Sequence, residues 1–200
     1  FMDQKLYPYS AHYLHPIKMR TGKYWSNHFS TIGLIGMHEA CQMVIGAGID
    51  EPEGKAFAER TMDFMLQELN RFQLETGNLY NLEATPAEGA SYRLARTDRK
   101  NFPEIAASGS PETPYYTNST QLPVDFSDDL FAVLDHQDSL QTRYTGGTVL
   151  HVFLGEQIDD WRQVRRLVRS IAENYRLPYF TLSPTFSICP VHVYIPGEHF

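Results

Sequence analysis

The sequence predicts an α/β fold in which parallel strands alternate with helices. Short runs of apolar, β-branched and aromatic residues recur along the chain, helix-like periodicity fills most intervals between them, and glycine or proline marks many junctions. Such alternation favours parallel pairing, because two parallel strands need a crossover between them and that crossover is usually a helix. An open sheet and an incomplete barrel are both consistent with the pattern.

The first third of the chain contains the strongest helical signal. Residues 1–27 carry aromatic residues and histidines without a clear period, which predicts irregular structure with one short helix. Residues 28–48 predict a strand that turns at Gly33 and Gly36 into a helix. Residues 51–77 repeat apolar side chains at three- and four-residue steps, begin with acidic residues and end at glycine, as a capped amphipathic helix does.

The middle of the chain predicts two strands, each followed by a helix. A strand is expected over 78–84 and a short helix over 87–98. A second strand is expected over 115–123, ending at proline, and Ser127 is then placed to cap a helix through residue 141.

The last third follows the same alternation. Extended structure is expected after the Gly146–Gly147 turn, and a helix follows, with Asp159 and Asp160 at its favourable end. Its apolar stripe consists of Trp161, Val164, Val168, Ile171, Ala172 and Tyr175. Residues 177–190 predict a strand and an irregular tail.

The composition and charge of the chain narrow the classes of partner and cellular location that are expected. The chain has 200 residues, of which 42% are hydrophobic, and a net charge of −7, with no basic stripe that could neutralise a nucleic-acid backbone. A polymer of nucleic acid is therefore not an expected partner, although a single nucleotide needs only a local site. The absence of an apolar run long enough for a membrane span, or of a signal peptide, predicts a cytoplasmic protein. The chain begins with Phe1, so a piece of a longer protein is expected.

The segment Thr85 to Glu88 admits two interpretations. Its amides could bind an anion at a helix N-terminus, where N–H groups lack partners within the helix. Alternatively, Thr85 and Glu88 form a capping box with Pro86 at the first helical position, and the motif alone favours this local role. The turn at Gly146 and Gly147 likewise could approach a ligand, although a simple turn is the more common use.

The cysteines and histidines carry weaker signals. Cys41 lies among apolar residues of a predicted helix, which favours a buried, inert thiol. Cys189 and His192 are three positions apart, a spacing that lets both bind one zinc ion, but they make only half of a closed site. The remaining histidines show no metal-binding spacing, and each is expected to be a structural or surface residue: His12, His15, His28, His38, His136 and His151. P-loop, Rossmann and nucleophile-elbow motifs are absent from the sequence.

Five ordered motifs carry a resemblance to a known family. They are HFSTIGLIGMHEAC, ETGNLYNLEATPAEGASYRLARTD, YYTNSTQLPV, YTGGT and FSICPVH, and together they span nearly the whole chain. In this order they resemble the anaerobic (class III) ribonucleoside-triphosphate reductases. The resemblance implies an α/β fold that is part of a ten-stranded barrel of the glycyl-radical enzyme type, with residues 1–186 in the C-terminal part of the barrel.

The resemblance also implies a reaction and its cofactors. The family replaces the 2'-hydroxyl of a ribonucleotide by hydrogen, using a glycyl radical that generates a cysteine thiyl radical. The radical is installed by an activating enzyme that uses S-adenosylmethionine and an iron–sulfur cluster. Both radical residues are expected outside these 200 residues, and Cys41 does not match the radical cysteine. A homodimer is expected, and this chain alone should be inactive.

Site residues follow from the matched motifs. Thr85, Pro86, Ala87 and Glu88 match a segment that resembles the family's substrate-phosphate loop, so the resemblance makes the anion site the favoured interpretation. Four further residues fall on family motifs near the barrel mouth, namely Asn118, Ser119, Gly146 and Gly147. Residues 187–200 resemble the start of the family's zinc ribbon, with Cys189 as a ligand of a structural zinc ion. The family has two Cys-x-x-Cys pairs there, so His192 as the second ligand is a hypothesis.

Two alternatives stay open at this point. Another glycyl-radical enzyme of the same barrel type would act on a small acid or diol and would bind no triphosphate. A degenerate homologue would serve as a binding module without catalysis.

Overall fold

The computed structural model describes residues 1–2, 4–123, 126–127, 129–154, 158–184, 186–189 and 193–196, the last two ranges and residue 88 by backbone alone. The helices of the described residues are α1 (Pro8–Tyr13), α2 (His15–Thr21), α3 (Met37–Ile45), α4 (Pro52–Thr76), α5 (Glu88–Asn101), α6 (Leu130–Gln141) and α7 (Trp161–Asn174). The strands are β1 (Phe29–Leu34), β2 (Leu79–Ala84), β3 (Ser108–Gly109), β4 (Pro114–Tyr115), β5 (Leu150–Leu154), β6 (Phe180–Pro184), β7 (Phe186–Cys189) and β8 (Val193–Pro196).

Two parallel strand pairs organise the molecule, as the alternation of strands and helices predicts. β1 pairs with β2, so that Thr31 lies beside Asn81 and Gly33 beside Glu83. β5 pairs with β6, so that His151 lies beside Thr181. The pairs β3–β4 and β7–β8 are short and antiparallel.

Each parallel pair packs a hydrophobic core against its helices. The first core contains the buried residues Met37, Cys41, Ile49, Ala58, Met62, Leu69, Leu82, Leu140 and Tyr144, with Leu34, Tyr80 and Ala84 packed against it. The second is smaller, with Leu134, Leu150, Val152 and Ile171 buried. Because strand side chains alternate between faces, Glu83, His151 and Phe153 point away from these cores.

The two longest predicted helices are confirmed. α4 begins after Glu51 and ends at Gly77, which adopts the left-handed conformation (φ +67°) expected of a C-terminal glycine. α7 begins after Asp160, whose carboxylate accepts a hydrogen bond from the Arg162 N–H. The predicted apolar stripe is only partly right, since Trp161, Val168 and Ala172 are exposed, whereas Leu167, which the stripe omitted, packs against the second core.

Several local predictions are wrong. The N-terminal segment forms α1 and α2, both with proline in the first turn, instead of one short helix. The predicted strand over 115–123 is reduced to Pro114–Tyr115 and an isolated bridge at Asn118, because Ser119 adopts a positive φ of 49°, which interrupts extended structure.

Two further corrections concern the ends of elements. Asp129, not Ser127, caps α6, and its carboxylate accepts hydrogen bonds from Phe131 N–H and Ala132 N–H. The expected irregular tail contains β7, which pairs antiparallel with β8 so that Cys189 lies beside Val193. In the part of the chain that the structure describes, no helix is both long enough and apolar enough to cross a membrane.

Candidate functional site

A cavity of about 360 Å³ lies where β2 ends and β5 begins. Its lining comes from four separated stretches of the chain: Glu83, Ala84, Thr85 and Pro86; Asn118, Ser119 and Gln121; Gly147, Thr148, Val149 and His151; and Tyr179. Five of the eight substrate-binding residues predicted from the resemblance line this cavity, and Ala87, Glu88 and Gly146 are their direct neighbours in the chain. The fold therefore brings together motifs that are far apart in sequence.

The loop from Thr85 to Ala87 connects β2 to the start of α5. Ala87 occupies the N-cap position without a side-chain cap, and Glu88 is the first helical residue. The predicted capping box of Thr85 with Glu88 is therefore wrong, because the helix begins two residues later than that motif requires; the side chain of Glu88 lies outside the described part. The amides of the first turn of α5 consequently lack a capping side chain.

The side chain of Thr85 packs over the neighbouring strand instead. A Cβ atom at Gly33 would overlap Thr85 Oγ1, so only glycine at that position leaves room for the threonine. Gly33 lies inside β1 and not in the predicted turn.

Asn118 and Ser119 bind the loop from the opposite side. The Ala87 N–H donates to Asn118 Oδ1 at 3.2 Å, and Ser119 Oγ donates to the Thr85 carbonyl at 3.3 Å. Ser119 is buried and holds a left-handed backbone, which is uncommon and costs free energy in a residue other than glycine. The two predicted segments therefore form one hydrogen-bonded unit.

Gly146 and Gly147 join this unit through β2. The Gly146 N–H donates to the Leu82 carbonyl at 2.8 Å, and the Ala84 N–H donates to the Gly147 carbonyl at 3.0 Å. A Cβ atom at Gly146 would lie 2.7 Å from Cγ of Asn81. The absence of a side chain at Gly146 therefore lets the turn pack closely against β2, and not against a ligand. Gly147 itself faces the cavity.

The polar character of the cavity comes from amides, from hydroxyls including that of Tyr179, from the carboxylate of Glu83 and from the imidazole of His151. None of the described lining residues is lysine or arginine. His151 is exposed, and its Nδ1 lies 3.0 Å from Thr181 Oγ1. The partly positive end of a helix is therefore the electropositive feature nearest to the loop, since α5 begins there with amides that lack partners within the helix.

A second cavity of about 320 Å³ lies beside the first and shares the wall residues Asn118, Gln121 and His151 with it. Its remaining lining is partly aromatic and includes Tyr115, Tyr116 and Phe153. The Gln121 side chain donates to the Val149 carbonyl at 2.8 Å and so ties the two cavity walls together. The combined space suits a ligand with one anionic end and one flatter, less polar end.

Cys41 is remote from this chemistry. Its thiol is fully buried in the first core and donates to the Gly54 carbonyl at 3.5 Å. Burial raises the pKa of the Cys41 thiol to about 11, so it stays protonated and unreactive near neutral pH. This agrees with the predicted inert thiol.

The two residues of the zinc hypothesis, Cys189 and His192, lie largely outside the described part of the structure. Cys189 ends β7, but its side chain and all of His192 are not described. Among the residues whose side chains are described, no three histidine, cysteine or acidic groups come close enough to hold a metal ion.

Sequence reasoning missed several cavity residues. Glu83 alternates with the core residues Leu82 and Ala84, and His151 alternates with Leu150 and Val152, so strand periodicity contained a signal for both. His151 is a surface residue as predicted, yet it also lines the cavity. Gln121, Thr148 and Tyr179 carry no such signal, because they enter the cavity through long-range packing.

Comparisons with known proteins relate the chain to one enzyme family. A family model described as anaerobic ribonucleoside-triphosphate reductase matches residues 1–200. The anaerobic ribonucleoside-triphosphate reductase of Haemophilus influenzae is 26% identical over 162 residues, which are 80% of this chain and 22% of that relative. The Escherichia coli enzyme of the same name is 25% identical over 123 residues, covering 60% of this chain and 17% of that relative.

Solved structures show the same fold. The anaerobic ribonucleotide reductase from Thermotoga maritima with MES in the active site superimposes with a TM-score of 0.66 at 24% identity, covering 94% of this chain and 33% of that one. The same enzyme in complex with dATP and CTP gives a TM-score of 0.65 at 23% identity, covering 92% and 31%. The chain thus spans about a fifth of these curated relatives and about a third of these structures. From its sequence and its fold, the chain belongs to the anaerobic ribonucleoside-triphosphate reductase family.

Proposed function

We propose that the intact protein reduces ribonucleoside triphosphates to 2'-deoxyribonucleotides and that this chain supplies the part of the active site that holds the substrate's triphosphate. One observation carries the proposal: the loop Thr85–Ala87, the segment Asn118–Ser119 and the Gly146–Gly147 turn converge on one cavity at the start of α5. Membership of the family and the CTP complex of the related Thermotoga maritima enzyme support it.

The triphosphate would be held mainly by backbone amides. The N–H groups of Glu88 and Gly89 precede the first hydrogen bonds of α5, in which Ala90 and Ser91 donate to the Ala87 carbonyl. The helix dipole makes this end partly positive, so an anion is stabilised there. Asn118 accepts the Ala87 N–H and thereby orients the loop, which leaves the following amides to the ligand. The described lining offers no lysine or arginine to replace this contribution.

The rest of the cavity would take the nucleoside. Glu83 can accept hydrogen bonds from hydroxyl groups, and Gln121 and His151 also line the second, partly aromatic cavity. A ribose with its base is a group of this polarity and size.

The radical chemistry belongs to other parts of the protein. Homolysis at the ribose is proposed to depend on a thiyl radical generated by a glycyl radical, both outside these 200 residues, and on an activating enzyme that uses S-adenosylmethionine. The buried, protonated Cys41 is unsuited to that role. Within this account, β1, β2, β5 and β6 form wall strands of a ten-stranded barrel, and the intact protein is a cytoplasmic homodimer.

The C-terminal segment 187–200 is proposed to begin a zinc ribbon with Cys189 and His192 as ligands. The proposal rests on their spacing in the sequence, since zinc takes thiolate sulfur and imidazole nitrogen readily. Metal analysis of the full-length protein and of its Cys189→Ser variant checks it: zinc retained at the wild-type level by the variant contradicts the assignment.

The substrate site is tested with Asn118→Asp in the full-length protein. The variant retains an oxygen that accepts the Ala87 N–H but adds a negative charge to the cavity wall. We expect the dissociation constant of CTP, measured by equilibrium dialysis, to rise on the order of tenfold because like charges repel strongly in a partly desolvated site.

Asn70→Asp is the matched control. Asn70 is an exposed residue of α4 whose Oδ1 accepts from Gln73, so the substitution makes the same change of charge away from the cavity. CTP affinity should stay at the wild-type value in this variant. Equal affinity in the wild type and Asn118→Asp would exclude the cavity as the triphosphate site.

A further inference from the structure

Glu39 is a buried carboxylate that lines neither cavity, although its hydrogen-bond partner Thr117 lines the second one. It lies in the first turn of α3 with 2% of its surface exposed. Burying a charge is costly unless hydrogen bonds and favourable dipoles compensate for the lost water. Glu39 has both, since it sits near the partly positive end of α3 and all its described donors come from a distant part of the chain.

These donors are concentrated on one residue, Thr117. Glu39 Oε1 accepts from the Thr117 N–H at 3.0 Å and from Thr117 Oγ1 at 2.8 Å, and Oε2 lies 3.1 Å from the same N–H. Ser108 Oγ adds a further hydrogen bond to Oε1 at 2.6 Å. The carboxylate therefore fixes both the backbone and the side chain of Thr117.

Thr117 immediately precedes the two residues that hold the loop of the cavity. Asn118 accepts the Ala87 N–H, and Ser119 donates to the Thr85 carbonyl. The start of α3 also forms hydrogen bonds with this segment. The Gly36 N–H donates to the Thr117 carbonyl at 2.8 Å, and the Met37 N–H donates to the Ser119 carbonyl at 3.1 Å. The left-handed backbone of Ser119 persists only because these surrounding contacts determine it.

We infer that Glu39 is a positioning residue for substrate binding: its carboxylate holds Thr117 so that Asn118 and Ser119 present the Thr85–Ala87 loop to the triphosphate. This inference rests on the proposed function. Glu39 acts through Thr117 and makes no contact with the ligand, so its loss should alter the affinity for substrate more than the rate of the chemical step.

The test compares steady-state constants of activated, full-length reductase variants. In Glu39→Ala, we expect the KM for CTP to rise roughly tenfold while kcat changes less than about twofold, because uniform binding is lost and the reacting groups lie elsewhere. In Glu39→Gln, one side-chain oxygen can still accept the three hydrogen bonds that Oε1 makes, so KM should return to within about threefold of wild type.

A second substitution guards against a folding defect in Glu39→Ala. Thr117→Val keeps the shape and the N–H of the residue but removes the hydroxyl that donates to Glu39. It should raise the KM for CTP roughly threefold with kcat near the wild-type value. Because Thr117 also lines the second cavity, this result supports the inference only when Glu39→Ala, at a residue outside both cavities, raises KM as well.

Glu59→Ala is the control for removing a carboxylate that joins two elements by hydrogen bonds away from the cavity. Glu59 on α4 accepts from Ser139 Oγ at 2.6 Å and lies opposite the Arg143 guanidinium, without a place in the cavity lining. Its removal should leave the KM for CTP unchanged.

The outcomes separate this inference from the proposed function. If Asn118→Asp weakens CTP binding but KM is unchanged in both Glu39→Ala and Thr117→Val, the inference is overturned and the substrate site stands. A fall in kcat at constant KM also overturns it, since that pattern indicates a merely structural role. If Asn118→Asp has no effect on CTP affinity, the proposed function itself fails.

Discussion

The two parallel strand pairs share a plan but differ in what they build at their ends. Both consist of a strand, helical crossover and parallel strand, and both bury apolar side chains against helices. The β1–β2 pair has the larger core, and its carboxyl end is fastened to the loop Thr85–Ala87, to segment 117–119 and to the Gly146–Gly147 turn. The β5–β6 pair has four buried core residues and contributes side chains such as His151 to the cavity wall.

This difference shows that the pattern of elements and the location of a site arise from different interactions. Local periodicity is enough to form either pair. The cavity depends on hydrogen bonds between stretches of the chain that are about 30 residues or more apart, such as Ala87 with Asn118 and Leu82 with Gly146. Perturbing the core of the first pair should therefore change both stability and ligand affinity, whereas perturbing the second core at a residue outside the cavity lining, such as Ile171 on α7, should change stability alone.

The largest expected effects come from truncating one buried side chain in each of the two cores. Leu82→Ala and Ile171→Ala each remove a fully buried side chain, one from each core, and each should lower the free energy of unfolding by about 2–5 kcal/mol. The Leu82 carbonyl accepts from the Thr145 and Gly146 N–H groups, so a shift at this position also moves the cavity wall. CTP affinity of the full-length protein should fall in Leu82→Ala and stay at the wild-type value in Ile171→Ala.

Chemical unfolding and CTP titration of both variants decide the comparison. The same loss of affinity in both would show that the site responds to global stability, and the distinction between the two pairs would be abandoned.

The smallest expected effect concerns the start of α6. Asp129→Ala removes the carboxylate that accepts from Phe131 and Ala132, and should cost about 0.5–2 kcal/mol of stability without changing CTP affinity. Ser127→Ala should cost less than Asp129→Ala, because the hydrogen bond that Ser127 Oγ accepts within the described residues comes from the Asp129 N–H, which lies outside the helix. Thermal unfolding of the two variants measures the order, and a larger loss in Ser127→Ala would contradict the assignment of the cap.

Elements governed by local chemistry were predictable from the sequence. α4 and α7 follow from their periodicity and their terminal residues, Gly77 and Asp160. The cap of α6 was displaced by two positions because serine and aspartate are both good N-cap residues and stand close together in the sequence. The segment after Tyr115 was mistaken for a strand because contacts with α3 and with Thr85 impose the left-handed conformation of Ser119, which its own residues do not signal.

The site was predictable only in part, and by resemblance more than by residue chemistry. From the motif alone, Thr85–Glu88 favoured a capping box that the structure does not contain. The convergence of this loop with Asn118 and Gly147 could not be derived from spacing, since it depends on tertiary packing. Glu39 was missed because a single glutamate in a helix is ordinary in sequence, and its importance appears only in its contacts with Thr117.

The most direct test of the central claim is a crystal structure of the full-length protein with CTP bound. The account predicts the phosphates at the first turn of α5, hydrogen-bonded to backbone amides beside Asn118, with the nucleoside extending past Gln121 and His151. Phosphates bound at another part of the protein, with the cavity between β2 and β5 left without ligand, would contradict it.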